Sequence, residues 1–297
     1  MKKNDLLDQY FDKRRSFIYR LFFSILGILL IFLITLKFQG NSNFIAKISV
    51  EGIIYDKKDL IDQIKVLEND VNVKGLITIV NSPGGTFVGS KELYDSIKNI
   101  SKNIPTVVYM REMATSGGYL VSLSSDRIYA NVGTLTGSIG VILQTADLSK
   151  LLEKLGISPI IVRSGELKSV PNPAEQINED KLTYLKEITL AIQDEFLDIV
   201  KSNRDISDSV IDLVSDGRIL TGRQAKNLKL IDDIGSEKDA LAWLKKKSGV
   251  DENVKVIDFS EEKDLSKLLD LTFLKKKINY LNQNFYNGFF AIWMPGI

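Results

Sequence analysis

Two junctions in the sequence combine small residues in a way that could support nucleophilic chemistry. Ser116 lies in Ala114-Thr-Ser-Gly-Gly-Tyr119, between an apolar run and a helical pattern. An earlier apolar run, Gly75–Val80, is followed by Asn81-Ser-Pro-Gly-Gly85, which also leads into a helical pattern. Glycines at such positions let the backbone approach a ligand, and N–H groups at a helix start can stabilise developing negative charge. The two junctions are therefore consistent with a serine nucleophile beside an oxyanion hole.

Each junction by itself also has a plain structural explanation. Pro-Gly is a common turn signal, and serine is a favoured helix N-cap. Two Gly-Gly junctions that each follow a buried strand are harder to explain in this way. Ligand sites in open α/β sheets lie at such strand ends, which favours a shared site.

The identity of a general base is restricted by the residues that the chain lacks. The 297 residues include no histidine and no cysteine. This composition excludes a Ser-His-Asp triad, a cysteine nucleophile and metal sites built from imidazole or thiolate. A lysine can serve as base if burial lowers its pKa from about 10.4 towards 7–8. Lys168, in Arg163-Ser-Gly-Glu-Leu-Lys-Ser169, is the candidate, although a loop lysine is ordinarily a solvated surface group.

The order of apolar runs and helical patterns predicts an α/β fold with parallel strands and right-handed crossovers. The predicted strands are an edge-type strand Ala46–Glu51, then Gly75–Val80, Thr106–Met110, Ile128–Ala130 and Pro159–Val162. The main predicted helices are Leu60–Leu67, Leu148–Leu155, Glu175–Ile199 and Ser236–Lys247. These elements predict one domain over residues 44–250. The net charge of +1 gives no indication of a nucleic-acid partner.

The N-terminal region has the composition of a membrane signal anchor. No charged residue occurs from Leu21 to Leu36, and Phe17–Tyr19 extend the run to roughly the 20 residues that span a bilayer. Basic residues outnumber acidic ones before it. The positive-inside rule therefore predicts a cytoplasmic tail over residues 1–16, a transmembrane anchor over residues 17–36 and an extracytoplasmic catalytic domain. A cleavable signal peptide or a buried helix is the alternative.

The C-terminal region, residues 251–297, is predicted to form an amphipathic and aromatic tail. Apolar residues recur at roughly helical spacing from Leu268 to Leu281, with Lys275, Lys276 and Lys277 between them, and aromatic residues follow. This composition predicts contact with a lipid interface or with a neighbouring subunit. Packing of the tail on its own domain is the third and weaker possibility.

Five motifs, in this order, resemble the bacterial signal peptide peptidase A (SppA) family in its short form with one catalytic unit. They are Asn81-Ser-Pro-Gly-Gly85, Thr115-Ser-Gly-Gly-Tyr119, Thr136-Gly-Ser-Ile-Gly-Val141, Ser164-Gly-Glu-Leu-Lys168 and Asp216-Gly-Arg-Ile-Leu-Thr-Gly-Arg-Gln-Ala225. The resemblance covers Lys47 to Lys245. It implies a Clp-protease/crotonase-like fold and a Ser-Lys mechanism that needs no cofactor or metal. It further implies cleavage of remnant signal peptides, or other apolar unfolded peptides, at the bacterial cytoplasmic membrane.

The same resemblance implies a role for individual residues. Ser116 matches the nucleophile and Lys168 the general base. Ser138 matches a serine that hydrogen-bonds the lysine amine. The oxyanion donors would be the N–H of Gly117 and one N–H of the preceding Gly-Gly pair, with Gly85 favoured.

The family also implies an assembly held above the bilayer by its anchors. A homo-oligomeric ring, with an octamer suspected, is expected, and the dyad would be completed either between neighbouring subunits or within one chain.

Three other functions stay open. A SohB-like or stomatin-associated membrane peptidase would share the dyad but cleave other membrane proteins, a crotonase-type acyl-CoA enzyme would need neither dyad nor anchor, and a non-catalytic scaffold would have lost Ser116 or Lys168.

Overall fold

The computed structural model describes residues 21–22, 24–30, 43–260 and 290–292. The chain divides into two units, Met1–Asn43 and Phe44–Ile297. In the first unit, residues 21–22 and 24–30 are helical. Within the described ranges, no helix is both long enough and apolar enough to cross a membrane. The predicted anchor at residues 17–36 lies in part outside those ranges.

The second unit is built on a mostly parallel sheet. Its strands are β1 (Phe44–Glu51), β2 (Val73–Ser82), β3 (Gly84–Thr86), β4 (Thr106–Thr115), β5 (Arg127–Ala130), β6 (Leu135–Gly137), β7 (Ile219–Thr221), β8 (Asp233–Ile234), β9 (Lys255–Asp258) and β10 (Phe290–Ile292). The main sheet has the order β7-β6-β4-β2-β1-β9, with β5 paired to β4 and to β8. All of these pairs are parallel except β6 with β7. The predicted α/β class with a mostly parallel sheet is therefore confirmed.

Helices cover both faces of this sheet. They are α1 (Lys58–Glu68), α2 (Phe87–Ile100), α3 (Gly117–Ser122), α4 (Ser149–Lys154), α5 (Glu179–Asn203), α6 (Asp208–Val214), α7 (Gly222–Asn227) and α8 (Glu237–Ser248). Alternate residues of a strand point to opposite faces. On one face, Ile45 and Ile77 belong to a buried cluster with Leu244 of α8. On the other face, Ile48 and Val80 belong to a larger buried cluster to which α1, α2, α3 and α5 contribute.

Strand β1 was predicted at the edge of the sheet, and this prediction is wrong. Phe44–Lys47 pair in parallel with Lys255–Asp258 of β9, so β1 lies between β2 and β9. The Lys47 amine lies 2.8 Å from a Glu237 carboxylate oxygen and 3.5 Å from one of Asp258. Through the pairing with β9 the sheet extends to Asp258. The alternation along β1 could not reveal this neighbour, because β9 lies about 200 residues further along the chain.

The predicted strand at Pro159–Val162 does not form. Residues 157–163 have no regular structure, and Ile160 and Val162 are 91% and 94% exposed. An apolar run becomes a buried strand only where another strand accepts its backbone hydrogen bonds, and no strand of the described chain does so here.

Helix α5 begins at Glu179 rather than at the predicted residue 175, because the side chain of Asn178 caps it by accepting a hydrogen bond from the Lys181 N–H.

Strand β4 leads directly into Ser116, which lies at the carboxyl end of this strand. Its first half, Val107–Met110, pairs with β5, and its last residues, Met113–Thr115, pair with β6. Helix α3 begins at the residue that follows Ser116. Its Tyr119 is fully buried and donates a hydrogen bond of 3.0 Å to the Leu230 carbonyl, and burial raises the pKa of this hydroxyl. The chain is thus fixed on both sides of Ser116, by the pairing of β4 with β6 before it and by Tyr119 of α3 after it.

Candidate active site

Ser116 occupies a strained turn between β4 and α3. Its backbone has φ 53° and ψ −117°, a conformation that costs a non-glycine residue about 1–3 kcal/mol. Two hydrogen bonds hold this turn. The Ser116 N–H donates to the Gly137 carbonyl at 2.8 Å, and the Ser116 carbonyl accepts from the Leu120 N–H at 2.9 Å. A sharp strand-to-helix turn of this kind is typical of nucleophilic serines.

The hydroxyl of Ser116 is buried and unsatisfied. The residue is 1% exposed, and its Oγ has no hydrogen-bond partner among the described residues. The neighbouring Thr115 Oγ1 has the same property. Buried polar side chains are usually hydrogen-bonded, so an exception suggests a group whose partner arrives during function. Ser116 also does not cap α3, which argues against the structural role that serine often plays at a helix start.

The two Gly-Gly junctions of the sequence meet in the fold. Ser82, at the end of β2, is in register with Ala114 of β4. A Cβ at Gly118 would lie 2.8 Å from the Ser82 carbonyl oxygen, so the first turn of α3 packs directly on the first junction. A Cβ at Gly85 would lie 1.7 Å from the carbonyl oxygen of Ile54. Glycine is therefore required at both positions for backbone to approach backbone.

The expected oxyanion donors are backbone N–H groups of the two Gly-Gly junctions. Gly117 is the first residue of α3, and the first N–H groups of a helix have no acceptor within the helix. In the other junction, the Gly84 N–H donates to Ser82 Oγ at 3.0 Å. Ile54 accepts from the Thr86 N–H and donates to the Gly84 carbonyl. Of the Gly84–Gly85 pair, it is thus the Gly85 N–H that these contacts leave unused.

Ser138 is brought beside Ser116 through β6. Thr115 is in register with Gly137, and Ser138 follows directly. Ser138 has φ 52°, and its N–H donates to the Arg218 carbonyl at 2.8 Å. The Asp216–Ala225 motif thereby acquires a role that the sequence did not reveal, because its contribution is a backbone carbonyl. The backbone of Ile54 was missed for the same reason.

Lys168 makes no hydrogen bond to Ser116 among the described residues. Its side chain is exposed, and no hydrogen-bond or ion-pair partner occurs for it among the described residues. It belongs to a segment in which no residue from 142 to 178 is buried, called here the arm. The structure thus brings Ser116, Gly117 and Ser138 together where β4 and β6 end, and packs the start of α3 on the junction that contains Gly85. It leaves the expected base on the surface.

The arm has internal contacts of its own. Its Leu148 N–H donates to the Pro173 carbonyl at 2.8 Å. Arg163 pairs with Glu175, and Lys181 lies 3.3 Å from the same carboxylate. Desolvation raises the pKa of Glu175, but hydrogen bonds from Lys181 and Arg163 outweigh it, and the pKa is lowered overall. Large apolar side chains of the arm are nevertheless exposed, namely Ile142, Leu148, Leu151, Leu155, Ile157, Ile160, Val162 and Leu167.

Residues 98–251 match the family model described as Peptidase family S49, which covers more than half of the chain. The chain belongs to peptidase family S49. Residues 45–130 also match the model described as Clp protease. This membership makes the protein a serine protease and confirms the predicted resemblance to the signal peptide peptidase A family.

Two relatives that match by sequence agree with this assignment. A protein of Enterococcus faecium named "Putative signal peptide peptidase SppA" is 35% identical over 226 residues, which cover 71% of this chain and 66% of that protein. A Synechocystis protein named as a "Putative protease" is 33% identical over 220 residues, covering 73% of this chain and 79% of that protein. The solved structure of a membrane-bound stomatin-specific protease matches with a TM-score of 0.47 and 17% identity, covering 74% of this chain and 99% of that one.

The contact between Gly85 and Ile54 can be tested by substitution. We expect Gly85→Ala to lower the free energy of unfolding by about 3 kcal/mol and peptidase activity at least about tenfold, because the added methyl group would displace Ile54. Gly133→Ala is the matched control, since a Cβ there meets nothing within 4 Å. Thermal unfolding and peptide hydrolysis measure the two effects. Equal behaviour of the two variants would show that β3 does not need this close approach.

Proposed function

We propose that this S49 peptidase is a membrane-anchored serine endopeptidase that uses Ser116 as nucleophile and Lys168 as general base. Its proposed substrates are remnant signal peptides after their release from preproteins. The observation that carries the proposal is the buried Ser116 hydroxyl, which has no hydrogen-bond partner among the described residues and lies in a strained turn directly before Gly117. The junction that contains Gly85 packs on the same helix start through Ser82 and Gly118. The absence of histidine and cysteine from the chain supports a lysine base.

In the proposed reaction, the neutral amine of Lys168 takes the proton from Ser116 Oγ as this oxygen attacks the scissile carbonyl carbon. The oxyanion of the tetrahedral intermediate would accept hydrogen bonds from the Gly117 and Gly85 N–H groups. The lysine then gives its proton to the departing amine. Water hydrolyses the acyl-enzyme by the reverse sequence of proton transfers. Ser138 would orient the lysine amine by a hydrogen bond.

A neighbouring copy of the chain is the proposed source of the lysine. Lys168 is exposed in a segment without a single buried residue, whereas Ser116 is buried and unpartnered. The exposed apolar side chains of the arm would be covered by such a neighbour, as large apolar patches on a surface often are. A closed ring would repeat this contact at every subunit, because a head-to-tail interface closes by rotation. An octamer is the proposed size.

The proposed location is the bacterial cytoplasmic membrane, with the peptidase domain on its outer side. The uncharged run within residues 17–36 and the basic residues before it support a single anchor with a cytoplasmic N-terminus. An anchored site meets apolar peptides that are leaving the bilayer. The name of the Enterococcus faecium relative agrees with substrates of this kind.

The dyad is tested by paired substitutions. We expect Ser116→Ala and Lys168→Ala each to lower kcat/KM at least about a thousandfold, because nucleophile and base act as one unit. Lys168→Arg should fail as well, since a guanidinium keeps its proton. Lys154→Ala, an exposed lysine in the same arm, is the matched control and should keep full activity. Turnover of a peptide substrate near neutral pH measures all four, and wild-type turnover by Lys168→Ala would refute the base.

Sharing of the dyad between subunits is tested by complementation. Co-expressed Ser116→Ala and Lys168→Ala chains should together recover about a quarter of wild-type activity, because in a head-to-tail ring some interfaces join an intact serine to an intact lysine. Each chain expressed alone is the control and should be inactive. If the mixed assemblies are as inactive as the single variants, Ser116 and Lys168 must act within one chain.

Substrate preference gives a separate test of the proposed function. We expect efficient cleavage of leucine-rich signal-peptide fragments and cleavage at least about tenfold weaker for charged, water-soluble peptides of equal length, because the anchored site would meet apolar segments. Mass spectrometry of the products, with Ser116→Ala as blank, measures both rates. Equal rates for the two peptide classes would contradict signal peptides as the substrate class.

A further inference from the structure

Ser82, the last residue of β2, has a buried hydroxyl that bridges two backbone segments. Its Oγ donates a hydrogen bond of 2.6 Å to the Gly52 carbonyl and accepts one of 3.0 Å from the Gly84 N–H. The Gly84 carbonyl lies 3.5 Å from the same Oγ, so the single hydroxyl hydrogen is directed to Gly52. The side chain thus links the turn after β1 to the start of β3.

The peptide unit between Gly84 and Gly85 is held from two sides. The Gly84 carbonyl and the Gly85 N–H belong to this one planar, trans unit, so they point in opposite directions. The Ile54 N–H donates to the Gly84 carbonyl at 2.8 Å, which directs the Gly85 N–H away from Ile54. On the other side, Ser82 Oγ holds the Gly84 N–H. Together these contacts set the direction of the Gly85 N–H.

Gly84 is the point at which this peptide could otherwise rotate. Its φ of 101° is one that side chains rarely adopt, and glycine has the widest range of backbone angles. Pro83 before it has no N–H with which to hold the turn. Ser82 supplies the constraint, because a serine hydroxyl that accepts from the N–H two residues later closes such a turn. It also supports the other contact, since the Gly52 carbonyl that it binds lies two residues before Ile54.

Ser82 also contacts the helix start beside Ser116. It is in register with Ala114, and a Cβ at Gly118 would lie 2.8 Å from the Ser82 carbonyl oxygen and 3.4 Å from its Cβ. Its hydroxyl hydrogen is already donated to Gly52, so the side chain does not serve as a donor to substrate. An effect of Ser82 on catalysis must therefore pass through the backbone groups that it holds.

We propose that Ser82 is a positioning residue that directs the Gly85 N–H towards the oxyanion of the reaction. This inference rests on the proposed function, in which the Gly85 N–H is an oxyanion donor, and adds the group that orients it. Such a donor stabilises the transition state only if it is oriented before the charge develops. Without the hydroxyl, the Gly84 N–H loses its acceptor and the peptide that follows can rotate. The transition state then loses a contact that the bound substrate does not need.

Ser82→Ala in the full-length chain tests this role, with Ser124→Ala as the matched control. Ser124 is also buried, and its Oγ donates a hydrogen bond of 2.6 Å to the Val121 carbonyl. We expect Ser82→Ala to lower kcat for a signal-peptide fragment at least about tenfold and to leave KM within about twofold, because only the transition state is affected. Ser124→Ala should keep both constants within about twofold of wild type.

Two inhibitors with the sequence of this fragment distinguish a misdirected donor from a general loss of structure. One ends in an aldehyde, which adds Ser116 Oγ to its carbonyl carbon and so places an oxygen at the oxyanion position. The other ends in a primary alcohol and binds without a covalent bond. We expect Ser82→Ala to reduce the preference for the aldehyde, measured as the ratio of the two inhibition constants, at least about tenfold. This ratio does not depend on the fraction of enzyme that is folded.

Ser82→Cys is the second variant and decides the question if Ser82→Ala does not fold. A thiol fills the same position but is only a weak hydrogen-bond acceptor. It should therefore lower kcat and the preference for the aldehyde in the same direction.

The outcomes separate this inference from the proposed function. Lower kcat and a lower aldehyde preference in the Ser82 variants, with neither change in Ser124→Ala, support both. Wild-type kcat and aldehyde preference in a folded Ser82 variant would overturn the positioning role and leave the proposed function intact. A raised KM with equal loss of affinity for both inhibitors would also overturn it, since Ser82 would then act on substrate binding. A wild-type protein that neither cleaves the fragment nor prefers the aldehyde would overturn both.

Discussion

The hydrogen bond from the Ser116 N–H to the Gly137 carbonyl is the contact on which the candidate site depends. It holds a non-glycine residue at positive φ, in a conformation that the isolated sequence would rarely adopt. Gly137 also has a positive φ, and Ser138 after it is held by the Arg218 carbonyl. On the opposite side, Gly118 allows α3 to pack on Ser82. The strained turn is thus held between β6 and β2, and the surrounding core offsets its cost.

A second feature follows from the distribution of polar groups. Among the described residues, the site has a buried hydroxyl without a hydrogen-bond partner, while the candidate base lies in an exposed arm. Under the proposed function, catalysis would require the arrival of a lysine from a neighbouring copy. This requirement would keep an unassembled chain from cleaving peptides. The serine itself can remain rigidly pre-organised while activity depends on this one exchangeable contact.

The sequence predicted the local parts of this arrangement well and the long-range parts poorly. The core strands around residues 75–80 and 106–110 were visible as apolar runs, and both glycine-rich junctions lie at strand ends as expected. The strand at Pro159–Val162 was wrong because an apolar run gives no information on whether a partner strand exists. The pairing of β1 with β9 and of β3 with β10 was not foreseen, since register between distant segments has no local signature.

The sequence by itself determined the chemistry that is available. Without histidine or cysteine, a serine nucleophile in this chain must rely on another base, and the ordered motifs indicated the family that the comparison with known proteins established. Only the tertiary structure decided which groups meet. It brought Ser82, Gly118 and Gly137 around Ser116, placed Ala291 of β10 in register with Gly85, and left Lys168 on the surface. The reason is that these contacts are made by backbone atoms, which every residue carries and no residue type encodes, so that only strand order and register place them.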